Sequence, residues 1–287
     1  MNPFDLRGPE FLWFYAVLAV GALTIAAFLR RSREAGAPPK IDLDPYTIAY
    51  LRGAENEVLR VAMFSLIDRG LLRVESDKVV TAENVRPEAV RHEIEHSILR
   101  WCARETKPED LFKNSSLQSV CAPYKTALAS HALLPDEAIN ATRTNIFLAV
   151  LAVVGGVSVM KLLVAFSRGR PNVGYLIFFT LMTIAVAAFI CFPRLTARGK
   201  AMLEDLRSLY SGLKRRASTI PSGGASIDAL MLAAVFGLAA LPAGNFSNVR
   251  KLFKRATTTD SSSSSCGSSC GSSCGGGCGG GCGGCGS

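Results

Sequence analysis

Residues 11–29 read FLWFYAVLAVGALTIAAFL, nineteen positions without a charge. A helix rises about 1.5 Å per residue and bilayer hydrocarbon is about 30 Å thick, so this length is close to one crossing. Two further runs share the character: residues 146–166, IFLAVLAVVGGVSVMKLLVAF, and residues 173–192, VGYLIFFTLMTIAVAAFICF. Only residues 167–172 separate them, which suits a tight turn between antiparallel helices. These three runs decide the fold class. The sequence predicts a mainly α membrane protein with a single N-terminal span and a two-helix membrane hairpin.

Charge placement sets the expected orientation. Asp5, Arg7 and Glu10 precede the first run, whereas Arg30, Arg31 and Arg33 follow it. A cleaved signal peptide has a basic leader and a shorter apolar core, so the run reads as an uncleaved anchor with its N-terminus outside. Arg194, Arg198 and Lys200 follow the hairpin, against Arg168 and Arg170 inside its turn. Lys161 is the one charge within the hairpin runs. It lies about 7.5 Å of helix before Phe166, near enough for its stem to carry the ammonium to the interface, the alternative being an ion-pathway residue. Residues 229–243 form a fifteen-residue apolar stretch interrupted by Gly237 and Pro242. That length leaves a spanning, an interfacial and a core helix open, with three spans in total favoured by Arg250, Lys251, Lys254 and Arg255 just beyond it.

The whole chain has 287 residues, a formal charge of +9, 49% hydrophobic residues and a mean hydropathy of +0.26. Six of its nine cysteines lie in residues 261–287, which contain only Ser, Gly and Cys. A plain soluble enzyme, a collagen and a compact disulfide-rich domain are all excluded by this distribution. The expected organisation is an anchor at 1–29, a cytosolic winged-helix-like and helical module at 30–143, a transmembrane hairpin at 144–192, a basic region with a candidate fourth membrane or interfacial helix at 193–258, and a disordered tail at 259–287.

Within the module, Asp44 before Pro45 marks a helix start. A second helix is expected over 54–68, where Val58, Ala62, Leu66 and Leu59, Met63, Ile67 form two adjacent rows, and Gly70 ends it. Residues 71–75 and 78–82 read as a hairpin about Ser76 and Asp77. Two helices and a hairpin suggest a winged-helix-like unit. A third helix is expected over 87–105, followed by an apolar-periodic stretch over 109–134.

His92-Glu93-Ile94-Glu95-His96 matches H-E-x-x-H, in which two histidines one turn apart bind zinc and the glutamate serves as base. His131, the only other histidine, would be the third ligand. Val90, Ile94, Ile98 and Trp101 define the buried stripe of that helix, so His92 and His96 are expected to face water, with the charge of Glu95 between them. No catalytic residue is therefore assigned; Glu93 is the low-weight candidate base, and zinc or another soft metal the candidate cofactor. Residues 44–85 carry five basic and seven acidic residues, a net charge of −2, which lacks the basic footprint of a nucleic-acid binder.

Cys266, Cys270, Cys274, Cys278 and Cys282 recur every four residues, and Cys285 follows after three. Soft-metal binding, redox crosslinking, enzymatic modification and a tolerated low-complexity extension are the open readings. There is no Walker A loop, no Rossmann fingerprint in context, no G-x-S-x-G and no kinase signature.

Asp44-Pro45-Tyr46, Ala49-Tyr50-Leu51-Arg52-Gly53 and Ile67-Asp68-Arg69-Gly70-Leu71-Leu72, with Arg194-Leu195-Thr196-Ala197-Arg198-Gly199 after the hairpin, resemble a group of uncharacterised bacterial membrane proteins. In that group one membrane-associated domain precedes a low-complexity tail of Gly, Ser and Cys. The resemblance covers most of the chain and implies a multi-pass bacterial inner-membrane protein, with no activity or site residues to carry over. The expected function is a non-enzymatic scaffold, partnered by the lipid bilayer and an unknown protein. A zinc hydrolase on His92, Glu93 and His96 is the rival, and soft-metal or redox binding by the tail a further alternative.

Overall fold

The computed structural model describes residues 8–37, 39, 44–75, 78–82, 90, 92–103, 106–167, 174–219, 223, 226–242, 246, 249 and 252–253. The described chain is mainly helical. Three helices are long and apolar enough to cross a membrane, and they lie within α1 (Gly8–Glu34), α8 (Glu137–Ser167) and α9 (Gly174–Cys191). Among the described residues, the large apolar side chains left exposed lie on these three helices or at Phe192 just after α9, except Leu209 and Ile227. Such a surface is incompatible with water over that area and matches hydrocarbon. Arg31 and Arg33 in the last turn of α1 complement its negative dipole end.

The three spans pack on one another as a small bundle. Its buried apolar contacts include Phe11, Tyr15 and Ala26 of α1, Val150 and Val154 of α8, and Leu176 and Ala187 of α9. Lys161 carries its ammonium 4.3 Å from the Phe11 ring centroid, a cation–π contact at the end of the bundle remote from Arg33.

The remaining elements build a module. Asp44 precedes Pro45 at the start of α2 (Pro45–Gly53), as its sequence predicts. Ala54, at φ 62°, turns the chain sharply into α3 (Glu55–Asp68). Val58, Leu59, Val61, Ala62, Met63 and Leu66 of α3 are fully buried, so the expected apolar face has become a helix covered on nearly every side. Gly70 at φ 71° ends it, a conformation a side chain resists. Strands β1 (Leu72–Glu75) and β2 (Lys78–Thr81) then pair antiparallel, with Glu75 opposite Lys78, and the turn expected at Ser76 and Asp77 lies outside the described residues.

Helix α4 (Glu93–Trp101) begins later than the expected 87–105 helix, and residues 83–89, 91, 104 and 105 lie outside the described set. The 109–134 stretch is three short helices, α5 (Pro108–Lys113), α6 (Ser115–Ser119) and α7 (Ala122–Ser130). Beyond the membrane hairpin come α10 (Ala197–Leu209), α11 (Ser211–Arg215) and α12 (Ile227–Phe236).

Two boundaries differ from the sequence division. Helix α8 starts at Glu137, so the second span is continuous with the module. Helix α12 has ten residues, and Ala229, Leu232, Ala233, Ala234 and Val235 are completely buried against α2 and α3. Ten residues rise only about 15 Å, half a bilayer, and the module's apolar face is the alternative place to bury them. With Leu203, Leu206, Phe246, Val249, Leu252 and Phe253, the region 193–258 thus contributes to the same core as 44–134. The module is discontinuous in sequence, with the membrane hairpin inserted into it.

Candidate functional site

The H-E-x-x-H pattern straddles the start of α4 instead of lying along it. His92 occupies the N-cap with extended backbone (φ −101°, ψ 137°), so it is not one helical turn from His96 in the sense the metal motif requires. Glu93 and His96 are exposed. His131 caps the C-terminus of α7 and is also exposed. Among the described residues no group of three His, Cys, Asp or Glu is placed to hold a metal ion. The thiols at Cys266, Cys270, Cys274, Cys278, Cys282 and Cys285 lie outside the described residues.

Glu95, expected at the surface between the histidines, is instead buried to 2% exposure. Its Oε1 accepts hydrogen bonds from the Tyr46 hydroxyl and from Ser65 Oγ (3.2 Å), and lies 2.5 Å from Arg69 Nη2. Glu95 Oε2 is buried with no hydrogen-bond partner among the described residues. The cluster joins α2, α3 and α4 through one carboxylate. Burial, together with the charge of Glu95, raises the Tyr46 phenol well above its ordinary value and keeps it a donor. His92 sets its ring edge-on to Tyr46 at 4.7 Å and its Nε2 3.9 Å from Asp44 Oδ1. Burial raises the Asp44 carboxyl, while the nearby His92 charge opposes that shift. This arrangement can orient three helices and hold a charge. Three donors converge on its Oε1, which suits anchoring.

A second polar cluster lies where the bundle meets the module. Arg143 on α8, 2% exposed, donates from Nε to Glu34 Oε1 (2.6 Å), from Nη1 to the Pro193 carbonyl (2.7 Å) and from Nη2 to the Leu195 carbonyl (3.3 Å). Glu34, at the end of α1, also accepts from the Ala197 amide at 3.0 Å. One ion pair thereby ties together the module ends of all three spans. The segment Arg194-Leu195-Thr196-Ala197-Arg198-Gly199 completes the joint. Arg194 reaches the Tyr50 carbonyl, and Arg198 Nη2 the Ala35 carbonyl at 3.2 Å. Thr196 caps α10 by accepting from the Gly199 amide (3.0 Å) and donates to the Ala132 carbonyl (2.7 Å). A Cβ at Gly199 would sit 2.3 Å from the Leu133 carbonyl oxygen, so only glycine permits this approach.

Sequence reasoning missed Glu95 because its partners, Tyr46, Ser65 and Arg69, are distant in the chain. It also missed Glu34 and Arg143. Their one local signal is position: Glu34 is the lone acid after Arg30, Arg31 and Arg33, and Arg143 the lone cation before the 146–166 run.

Cys102 and Cys121 are buried in the module, and burial pushes both thiols up to about 12. No protein-family model, no curated protein and no solved structure matches this chain.

Proposed function

We propose that this protein is a three-span membrane scaffold that presents a winged-helix-like module and a thiol-rich tail to a protein partner. The observation that carries the reading is the buried Glu34–Arg143 pair, which fixes the module to the ends of the three spans at once. A fixed platform is what presentation to a partner needs. The order α2, α3, β1, β2 supports the winged-helix-like description, and the −2 charge of residues 44–85 favours a protein over a nucleic acid. Arg30, Arg31 and Arg33 beside the module favour a cytosolic position, and the family resemblance favours a bacterial inner membrane.

The test is purification of the full chain from native membranes, with bound proteins and metal both quantified. The expected result is a co-purifying protein enriched over untagged control membranes. Absence of any enriched protein would overturn the scaffold. So would stoichiometric zinc lost in His92→Ala together with a peptidase activity lost in Glu93→Gln.

A further inference from the structure

A groove of about 640 Å³ runs along the surface of the bundle between α1 and α8. Its floor reaches from Leu18 and Gly21 to Leu29 on α1, and its second wall runs from Ile146 to Val153 on α8. Arg33, Thr142 and Asn145 stand at the end nearest the module.

The depth of this groove says what fills it. The uncharged run of α1 covers 11–29, so its midpoint is residue 20 and the groove begins near the middle of the bilayer. From residue 18 to residue 29 the helix rises about 16 Å, and one leaflet of hydrocarbon is about 15 Å thick. The groove therefore has the length of one acyl chain. Its polar end coincides with headgroup level, where Arg33 is exposed and has no ion-pair partner among the described residues.

Charge at this end selects the headgroup. A smaller pocket of about 140 Å³ adjoins the groove through Arg33, Thr142 and Ile146, and it brings in Arg30, Glu34 and Arg143. Three guanidinium groups there face one carboxylate, and that carboxylate is already held by Arg143. The excess is positive and sits in the leaflet next to the module. We infer that the α1–α8 groove is a binding site for one anionic glycerophospholipid, its chain along Gly21 and Ala149 and its phosphate at Arg33 and Asn145. Guanidinium is suited to such a contact because its planar N–H fork matches phosphate oxygens.

The inference rests on the three helices crossing the bilayer, and the experiment separates the two. The full chain is placed in phosphatidylcholine nanodiscs containing 5 mol% phosphatidylglycerol in roughly tenfold excess over protein. Lipid retained on the protein after detergent extraction is then counted by native mass spectrometry. Wild type is expected to retain one phosphatidylglycerol. Arg33→Gln should lower that occupancy about fivefold, the loss of one direct hydrogen-bonded contact to the phosphate. Gly21→Leu should lower it by blocking the chain, and a Cβ at Gly21 meets nothing within 4 Å, so the added side chain starts in open space. Arg31→Gln, equal in charge but outside the groove lining, should change it less than twofold, because an exposed charge without a direct contact is screened by salt. Equal losses for Arg31→Gln and Arg33→Gln, with Gly21→Leu unchanged, would mean general surface attraction and overturn the site. Retention of phosphatidylcholine as readily as phosphatidylglycerol would overturn the headgroup assignment. Release of the protein from native membranes by alkaline carbonate would overturn the membrane reading itself, and the site with it.

Discussion

Among the described residues, the hydroxyl cluster shared by the three spans is neutral, while the module and its joint are each fastened by a buried ion pair. Tyr15, Ser158 and Thr180 supply one hydroxyl from each span: Tyr15 Oη donates to Thr180 Oγ1 at 3.0 Å, and Ser158 Oγ lies 3.1 Å from Tyr15 Oη and 2.8 Å from Thr180 Oγ1. Ser158 and Thr180 also reach back to the carbonyls of Val154 and Leu176 on their own helices. Outside the apolar runs, Glu95 meets Arg69, and Glu34 meets Arg143. The difference teaches how depth governs polar chemistry. In hydrocarbon an unmatched charge is far more costly than an unmatched hydroxyl, and hydroxyls can satisfy themselves on their own backbone. A charged pair serves as a joint only beyond the last turn of hydrocarbon. Glu34 is five residues past Leu29, and Arg143 three before Ile146.

The comparison predicts unequal effects. Arg143→Ala, which leaves Glu34 buried and unpaired, should cost about 3–5 kcal/mol in unfolding measured in detergent micelles. Arg143→Lys should recover only part of this, because an ammonium cannot reproduce the forked contacts to Pro193 and Leu195. Glu95→Gln keeps a hydrogen-bond acceptor but loses the charge opposite Arg69, and should cost about 1.5–3 kcal/mol in the same assay.

Alkaline pH should weaken the module through its thiols. Cys102 and Cys121 stay protonated up to about 12 when folded, whereas unfolded thiols ionise near 8.5. Their folded values are raised, so their contribution is fully present below about pH 8.5 and is lost as pH climbs. Between pH 8 and 9.5 the loss should be about 2.5 kcal/mol for the two thiols together, and the double variant Cys102→Ala, Cys121→Ala should flatten that slope. The smallest effect belongs to the bundle. Ser158→Ala should cost about 0.6 kcal/mol, because Tyr15 and Thr180 remain bonded to each other. A Ser158→Ala loss as large as that of Arg143→Ala would break the comparison.

Asp44-Pro45 and Gly70 announce themselves through backbone preference, and the three spans through length. What stayed hidden depends on groups meeting across the chain. The α4 stripe of Val90, Ile94, Ile98 and Trp101 places Glu95 at its flank, and only Arg69 and Tyr46, arriving from α3 and α2, make that flank interior. Helix α12 is apolar on all sides, as a span is, and its length alone cannot say which apolar surroundings receive it. The H-E-x-x-H spacing presumes one continuous helix, whereas His92 has the extended backbone of a cap. The Arg194 to Gly199 segment gives no local hint of its contacts, because the Tyr50, Ala35 and Ala132 carbonyls it bonds are distant in the chain.

Helix α8 is a single rod of 31 residues, about 46 Å long, running from the module through the bundle. Because Arg143 clamps it near one end and Ser158 sits among the other spans, a twist applied to the module is delivered as torsion to the remote membrane face. Gly155 and Gly156 are the compliant point on that lever, since paired glycines are where a helix bends most readily.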